Sequence, residues 1–451
     1  MKPLTPIFKA YDVRGIYPEQ LDEDVARRIG SAFVRFTAAG RIVLGRDCRT
    51  SSPSLAGAFA EGVTAAGAEV TDIGLATTDM LYFASGVLEA PGAMFTASHN
   101  PPQWNGLKLC RAGAAPVGED SGLMEVRDLA EGPEPAPVPS PGRVRTEDMV
   151  DRYIDHVLSF VDADRIAPLT VVADAANGMA GLVLPRVFER LPATLIGLYM
   201  DLDGTFPNHP ADPIQPENQE DVKRAVLEHG ADVGLAFDGD ADRVFLVDER
   251  AEGISGSLVT ALVAVKMLQR EPGATILHNV ICSWVVPEVI REHGGTPVRT
   301  RVGHSLIKKV MAETGAAFGG EHSGHYYFRD HYRADSGLIA ALLVLEQMSE
   351  SGTKLSDLLE PYRRYAASGE LNTEVPDPAA VIEELAGRTA DAKQDRLDGL
   401  TVEYEDWWFN VRPSNTEALL RLNVEARTEE LLQEKTREVL AVIRGEDHGG
   451  R

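Results

Sequence analysis

Short apolar runs alternate with helix-length amphipathic stretches through about the first 350 residues, and that alternation restricts the chain to parallel strands layered with helices. The plan recurs. RIVLGRD, from Arg41, leads through the helical pattern SLAGAFAEGVTAAG to the strand AEVTDIG. LTVVADA, from Leu169, leads through LVLPRVFERL to ATLIGLY, and ATILHNV, from Ala274, leads through VVPEVIREHGG to TPVRTRV. Strand–helix–strand units are common to all α/β proteins, but this series also fits three related domains.

Boundaries agree with such blocks. The stretch 131–141, EGPEPAPVPSP, holds five prolines and predicts a stiff extended linker. A helix over 147–161 would open the second block, and a third would follow the strand RVFLVD near Asp248. After about Tyr365 the pattern changes: a hairpin (TVEYEDWWFNVRP, then ALLRLNVEA) precedes the amphipathic helix EELLQEKTREVLAVIR, which reads as a smaller α+β domain. The expected division is 1–141, 142–248, 249–365 and 366–451.

Sixty-nine acidic residues against 44 Lys plus Arg give a net charge of −25, which repels nucleic acid and anionic lipid and argues against both as partners. An anionic small molecule would then need a local basic pocket. Three cysteines without a CxxC pair fit a reducing compartment. The N-terminus lacks a signal-peptide core, and the apolar stretches 258–268 and 338–345 fall short of the ~20 residues of a membrane span. The expected location is the cytoplasm.

Four loops could carry chemistry. TASHNPP, 96–102, follows the strand GAMF and lifts Ser98 to the end of a strand, where a ligand could reach it. A Ser/Asn turn that simply ends a strand would read alike, and no GxSxG elbow surrounds Ser98. Asp238, Asp240 and Asp242 alternate in DGDADR between two apolar strands, where three carboxylates can converge on one hard cation. An EF-hand fails because its sixth position is Arg243 instead of Gly, and the DxDx[TV] of a HAD phosphatase does not fit DGDADR.

GGEHSGH, 319–325, combines glycines that admit a ligand with Glu321 and Ser323, which can bond sugar hydroxyls. A glycine-rich turn without a ligand stays open, and zinc on His322 and His325 lacks a HExxH frame. Arg412, Ser414, Asn415 and Thr416, in RPSNT, form a compact set of phosphate donors, although a hairpin loop of Pro, Ser and Asn looks similar. Arg14, Arg46, Arg49, Lys108 and Arg243 cluster near these loops, whereas Lys308 and Lys309 read as solvated surface charge.

FKAYDVRG, TASHNPP, DGDADR, GGEHSGH and RPSNT, in that order, resemble the α-D-phosphohexomutases, and most closely the bacterial phosphomannomutase/phosphoglucomutase group. The likeness runs from Phe8 to Glu425. It implies four domains around a central cleft, three mixed-sheet α/β domains and a smaller α+β C-terminal domain. It also implies that Ser98 rests as phosphoserine and exchanges its phosphoryl group with a hexose 1- or 6-phosphate through a hexose 1,6-bisphosphate. Mg²⁺ would sit on Asp238, Asp240, Asp242 and a phosphoserine oxygen of Ser98. Arg243 would stabilise the same oxygens, and Lys108 and His304 are its candidates for proton transfer. Arg14, Glu321, Ser323, His325, Arg412, Ser414, Asn415 and Thr416 would bind the sugar phosphate. Trp104 and Ala241 replace the commoner Tyr and Gly, and 279–284, NVICSW, lacks the Lys or Arg that many members carry there. Phosphoglucosamine mutase usually opens with a GTDGIRG-like segment and reads GEQSGH, against AYDVRG and GEHSGH here. A non-catalytic sugar-phosphate or metal-binding relative would have little use for Ser98 and all three aspartates.

Overall fold

A computed structural model describes residues 2–133, 138–413 and 419–446, the side chain of His304 excepted. Four sheets follow one another along the chain. The first three share one strand order. In the first, Glu69–Leu75, Arg41–Arg46 and Gly92–Phe95 run parallel, and Trp104–Arg111 is antiparallel beside the last. The second repeats this with Thr194–Leu198, Thr170–Asp174, Val233–Phe237 and antiparallel Val244–Asp248. The third does so with Thr296–Thr300, Thr275–Asn279, Phe318–Gly320 and antiparallel Tyr326–Phe328. The three strand–helix–strand units legible in the sequence are therefore the first two strands of three like-ordered mixed sheets. Val13–Ile16 and Val144–Thr146 extend the first sheet at its two edges. Part of the proline-rich stretch, 134–137, lies outside the described residues.

Burial on both faces explains the unbroken apolar runs: every residue of Gly92–Phe95, Val233–Phe237 and Val244–Asp248 is buried. The two apolar stretches near 258 and 338 form the 15-residue helices Gly256–Arg270 and Gly337–Ser351, mostly buried. Among the described residues no helix is long and apolar enough to cross a membrane. One hydrophobic cluster takes in Val43 and Met80 beside the first sheet, Tyr153 and Val171 beside the second, and Phe318 and Ile339 beside the third. Shared apolar burial of this kind holds the three sheets in fixed relation.

The C-terminal sheet is antiparallel throughout, in the order Ala366–Glu374, Leu419–Ala426, Trp407–Pro413, Leu400–Glu403, Lys393–Asp395. It has its own core around Phe409, Val411, Leu420 and Leu422, completed by the helices Pro378–Arg388 and Glu429–Ile443. It meets the third sheet's domain through Trp284 N–H to Glu425 Oε1 (2.9 Å) and Arg299 Nη1 to Glu403 Oε1 (2.9 Å).

Three local expectations change. The helix predicted over 147–161 runs only Val150–Leu158. The segment TVEYEDWWFNVRP is two strands, broken where the acidic residues Glu405 and Asp406 form the turn. Lys308 is not solvated: it is 2% exposed, with Nζ 2.7 Å from Asp335 Oδ1 and 3.9 Å from the Tyr82 ring centroid. The helical period places it on the inward face shared by the buried Ile307 and Met311, while Lys309 points outward.

Candidate active site

The repeated strand order puts three of the motifs in equivalent places. TASHNPP, DGDADR and GEHSGH each connect the third strand of a sheet to its antiparallel fourth. Each therefore leaves the carboxyl end of a parallel strand, the edge at which open α/β sheets gather ligands.

Ser98 takes a left-handed φ of 49°, a conformation that is costly for a residue with a Cβ. The loop is held there by Arg49, which is fully buried. Its Nη1 donates to the carbonyls of Pro101 (2.8 Å) and Trp104 (3.0 Å), and its Nη2 to those of Ser98 (2.8 Å) and Asn100 (2.6 Å). Arg49, expected among the basic residues of a phosphate pocket, instead serves the loop backbone. Ser98 Oγ donates to Asp238 Oδ2 at 2.7 Å and lies 3.1 Å from His99 Nδ1. The approach of the two loops needs Gly239, because a Cβ there would stand 2.4 Å from the Ser98 carbonyl oxygen.

Asp238, Asp240 and Asp242 are buried, with ligand oxygens all within 4.8 Å of one another. Lys108 Nζ bridges Asp240 Oδ2 (2.8 Å) and Asp242 Oδ2 (2.6 Å). Arg243 Nε donates to Asp238 Oδ2 at 2.9 Å, and its Nη1 lies 3.7 Å from Asp212 Oδ1. Burial, opposed by Arg243 and reinforced by the two neighbouring aspartates, pushes the Asp238 carboxyl well above the ordinary range. Burial would raise Asp240 too, but the Lys108 charge and the bonds from Lys108 and Thr78 hold it well below its usual value. Lys108 is kept charged: burial works against the ammonium, and Asp240 and Asp242 outweigh it. Among the described residues, Asp240 Oδ1 and Asp242 Oδ1 are buried without a hydrogen-bond partner. Three convergent carboxylates with two spare oxygens are the donor set of a hard divalent cation, so these residues fit a metal.

Ala241, in the same loop, has φ 63°, which explains why glycine suits that position. The third motif joins the second through its backbone: Val244 N–H donates to the Gly324 carbonyl at 3.3 Å, and Arg243 and His325 form an isolated bridge. His325 Nε2 lies 3.8 Å from Asp242 Oδ1 and its Nδ1 2.9 Å from Ser323 Oγ. Glu321 accepts from Tyr327 OH (2.6 Å), Asn279 Nδ2 (3.2 Å) and the Gly303 N–H (3.1 Å). Arg14 pairs with Asp12 at 2.9 Å and donates to Asn100 of the serine loop.

Ser98, Lys108, Arg243, the three aspartates, Ser323, His325, Glu321 and Arg14 thus line one continuous polar network. Arg412 stands in the C-terminal sheet, bonded to Glu370 at 2.9 Å, and its charge acts on His322 and Tyr11. Ser414, Asn415 and Thr416 lie outside the described residues, as does the side chain of His304, whose backbone opens the helix His304–Thr314. The segment 279–284, without Lys or Arg, contributes Asn279 to Glu321 and Trp284 to the contact with Glu425. Sequence reasoning missed Thr78, whose Oγ1 donates to Asp240 Oδ2 at 2.6 Å. Its position just past the parallel strand Glu69–Leu75 was the available signal.

Models of phosphoglucomutase/phosphomannomutase α/β/α domains I, II and III match residues 5–131, 151–253 and 255–365, and the model of the C-terminal domain matches 370–442. The chain belongs to the phosphoglucomutase/phosphomannomutase family. It is 42% identical to a phosphomannomutase of Salmonella montevideo over 448 residues, covering 97% of this chain and 98% of that one. Phosphohexose mutases of Xanthomonas campestris are 41% identical over 98% of this chain and 99% of theirs. A crystal structure of a phosphoglucomutase/phosphomannomutase family protein from Burkholderia thailandensis superposes with a TM-score of 0.89, at 35% identity over 98% of both chains. The chain is accordingly a phosphohexomutase, an intramolecular phosphotransferase acting on a small sugar phosphate. The family is metal-dependent, and the aspartate cluster of this phosphohexomutase could hold the ion.

Proposed function

We propose that this phosphohexomutase interconverts the 1- and 6-phosphates of mannose, glucose or both, with Ser98 as the phosphoryl carrier. The observation that carries the reading is the 2.7 Å bond from Ser98 Oγ to Asp238 within a buried carboxylate trio. Asp238, Asp240, Asp242 and a phosphoryl oxygen on Ser98 would hold Mg²⁺, which when bound neutralises charge on the transferring group.

The free hydroxyl of a hexose monophosphate attacks phosphorus on Ser98. The new P–O bond to the sugar forms as the bond to Ser98 Oγ breaks, and the hydroxyl proton passes to a nearby base. Lys108 and His304 are the candidates for proton transfer with the sugar hydroxyl. Arg243 Nη2, buried and without a hydrogen-bond partner among the described residues, is free to take a phosphoryl oxygen. Glu321, Ser323 and His325 hold ring hydroxyls; Arg14, Arg412, Ser414, Asn415 and Thr416 bind the phosphate that is not transferred. The resulting hexose 1,6-bisphosphate turns over, and its other phosphate returns to Ser98. Closure around it keeps water from the phosphoserine.

The division 1–141, 142–248, 249–365 and 366–451 is our reading of the domains, with strand Val144–Thr146 crossing the first boundary to pair with the first sheet. The free thiols Cys48, Cys110 and Cys282 support a cytoplasmic location. Phosphoglucosamine mutase is disfavoured by the identity to phosphomannomutases. Intact-mass analysis after incubation with glucose 1,6-bisphosphate should show a species about 80 Da heavier that Ser98→Ala lacks. No such species would overturn the carrier. Turnover on mannose 1-, glucose 1- and glucosamine 1-phosphate then ranks the substrates, and preference for the amino sugar would reverse the assignment.

A further inference from the structure

The two carboxylate oxygens of Asp240 are treated differently by the fold. Oδ2 accepts from Lys108 Nζ at 2.8 Å and from Thr78 Oγ1 at 2.6 Å, whereas Oδ1 is buried without a hydrogen-bond partner among the described residues. Rotating the carboxylate would forfeit two charge-assisted bonds, so the donors on Oδ2 fix where Oδ1 points. Thr78 also donates its backbone N–H to the Asp240 carbonyl at 3.1 Å, which fixes the main chain as well as the side chain.

Thr78 is fully buried and is the first residue of the helix Thr78–Val87, so its position depends on how that helix start is held. Asp79, fully buried, holds it. Its carboxylate accepts from Tyr153 OH (2.5 Å), from Ser336 Oγ (2.6 Å) and from Thr77 Oγ1. Thr77 belongs to the first sheet's domain, Tyr153 to the helix Val150–Leu158 beside the second, and Ser336 caps the helix Gly337–Ser351 beside the third. Moving Asp79 would strand a buried carboxylate and three hydroxyls together.

We propose that Thr78, anchored through Asp79, is a positioning residue that orients Asp240 Oδ1 toward the cation. The inference rests on the reading that the aspartate trio holds a divalent ion. Outer-shell partners of metal-binding carboxylates commonly matter to affinity about as much as a ligand's own orientation does.

Mn²⁺ binding to the purified full chain, followed by electron paramagnetic resonance, tests it. Thr78→Val should weaken Mn²⁺ binding about tenfold, and Thr78→Ser, which restores the hydroxyl, should stay within about threefold of the natural protein. The KM for glucose 1-phosphate should remain within about twofold in both, since no phosphate contact is touched. Unchanged Mn²⁺ affinity in Thr78→Val, or equal losses in the Val and Ser variants, would overturn the proposal. If Thr78→Val does not fold, Asp79→Asn decides: weakened binding supports the anchor, and unchanged binding removes it. Failure of the natural protein to bind Mn²⁺, or full binding by Asp240→Asn, would instead sink the metal reading itself.

Discussion

Ser98 Oγ and Asp238 Oδ2 stand 2.7 Å apart although 140 positions separate them in the chain. Two hairpin loops from two sheets of the same order make that contact, and Gly239 leaves room for it. In the proposed reaction, the hydroxyl that would carry the phosphoryl group is thereby set against the carboxylates that would hold its counter-ion.

Ser98→Ala should lower turnover by at least about a thousandfold, the scale of nucleophile removal. The fold should survive, because Arg49 binds the loop through carbonyls that alanine retains. Steady-state turnover and a thermal melt measure the two. Activity near the natural level would assign the transfer to another group.

Lys108 holds two buried carboxylates together. Lys108→Met leaves Asp240 and Asp242 facing each other, and in EDTA the variant should lose about 3–5 kcal/mol. Millimolar Mg²⁺ should return more stability to the variant than to the natural protein, because the ion takes over the role of the ammonium. Urea melts with and without Mg²⁺ give the comparison; equal increments would contradict it.

Arg49→Lys should impair the serine loop almost as much as Arg49→Ala. A lysine cannot span four carbonyls with one planar fork. The expected signature is a fall in kcat with faster amide exchange over 97–104, and unaltered exchange there would count against the staple.

Burial, opposed by the hydroxyls of Ser336, Thr77 and Tyr153, pushes the Asp79 carboxyl up to about 6 from an ordinary 3.8. Since the folded value is the higher one, its favourable contribution is complete below the unfolded pKa and disappears as pH rises through about 6. Asp79→Asn lacks this titration. Relative to that variant, the natural protein should lose about 2 kcal/mol between roughly pH 4 and pH 6.5. Parallel denaturation curves at several pH values would show the divergence, and a constant difference between the two proteins would refute it.

The aspartate trio was legible because its members lie within five positions, so local geometry alone makes them converge. The alternation of strands and helices was legible because burial imposes its periods on the sequence. Arg49 and Lys308 were not. Both are charged side chains enclosed by segments distant in the chain, so Arg49 reads as one of a basic cluster near the loops and Lys308 as solvated surface. Thr78 carries no motif at all; it acquires a role only because the sheets pack around Asp79.

The sequence by itself determined the strand–helix repeats and which polar side chains each loop offers, since spacing and residue type suffice for both. Only the tertiary structure decided that three of those loops occupy the same junction of three like-ordered sheets. It also decided which carboxylate oxygens are bonded and which are left spare. The physical reason is that contacts across more than a hundred residues are set by packed apolar surface, whose complementarity is a property of the assembled layers and not of any one segment.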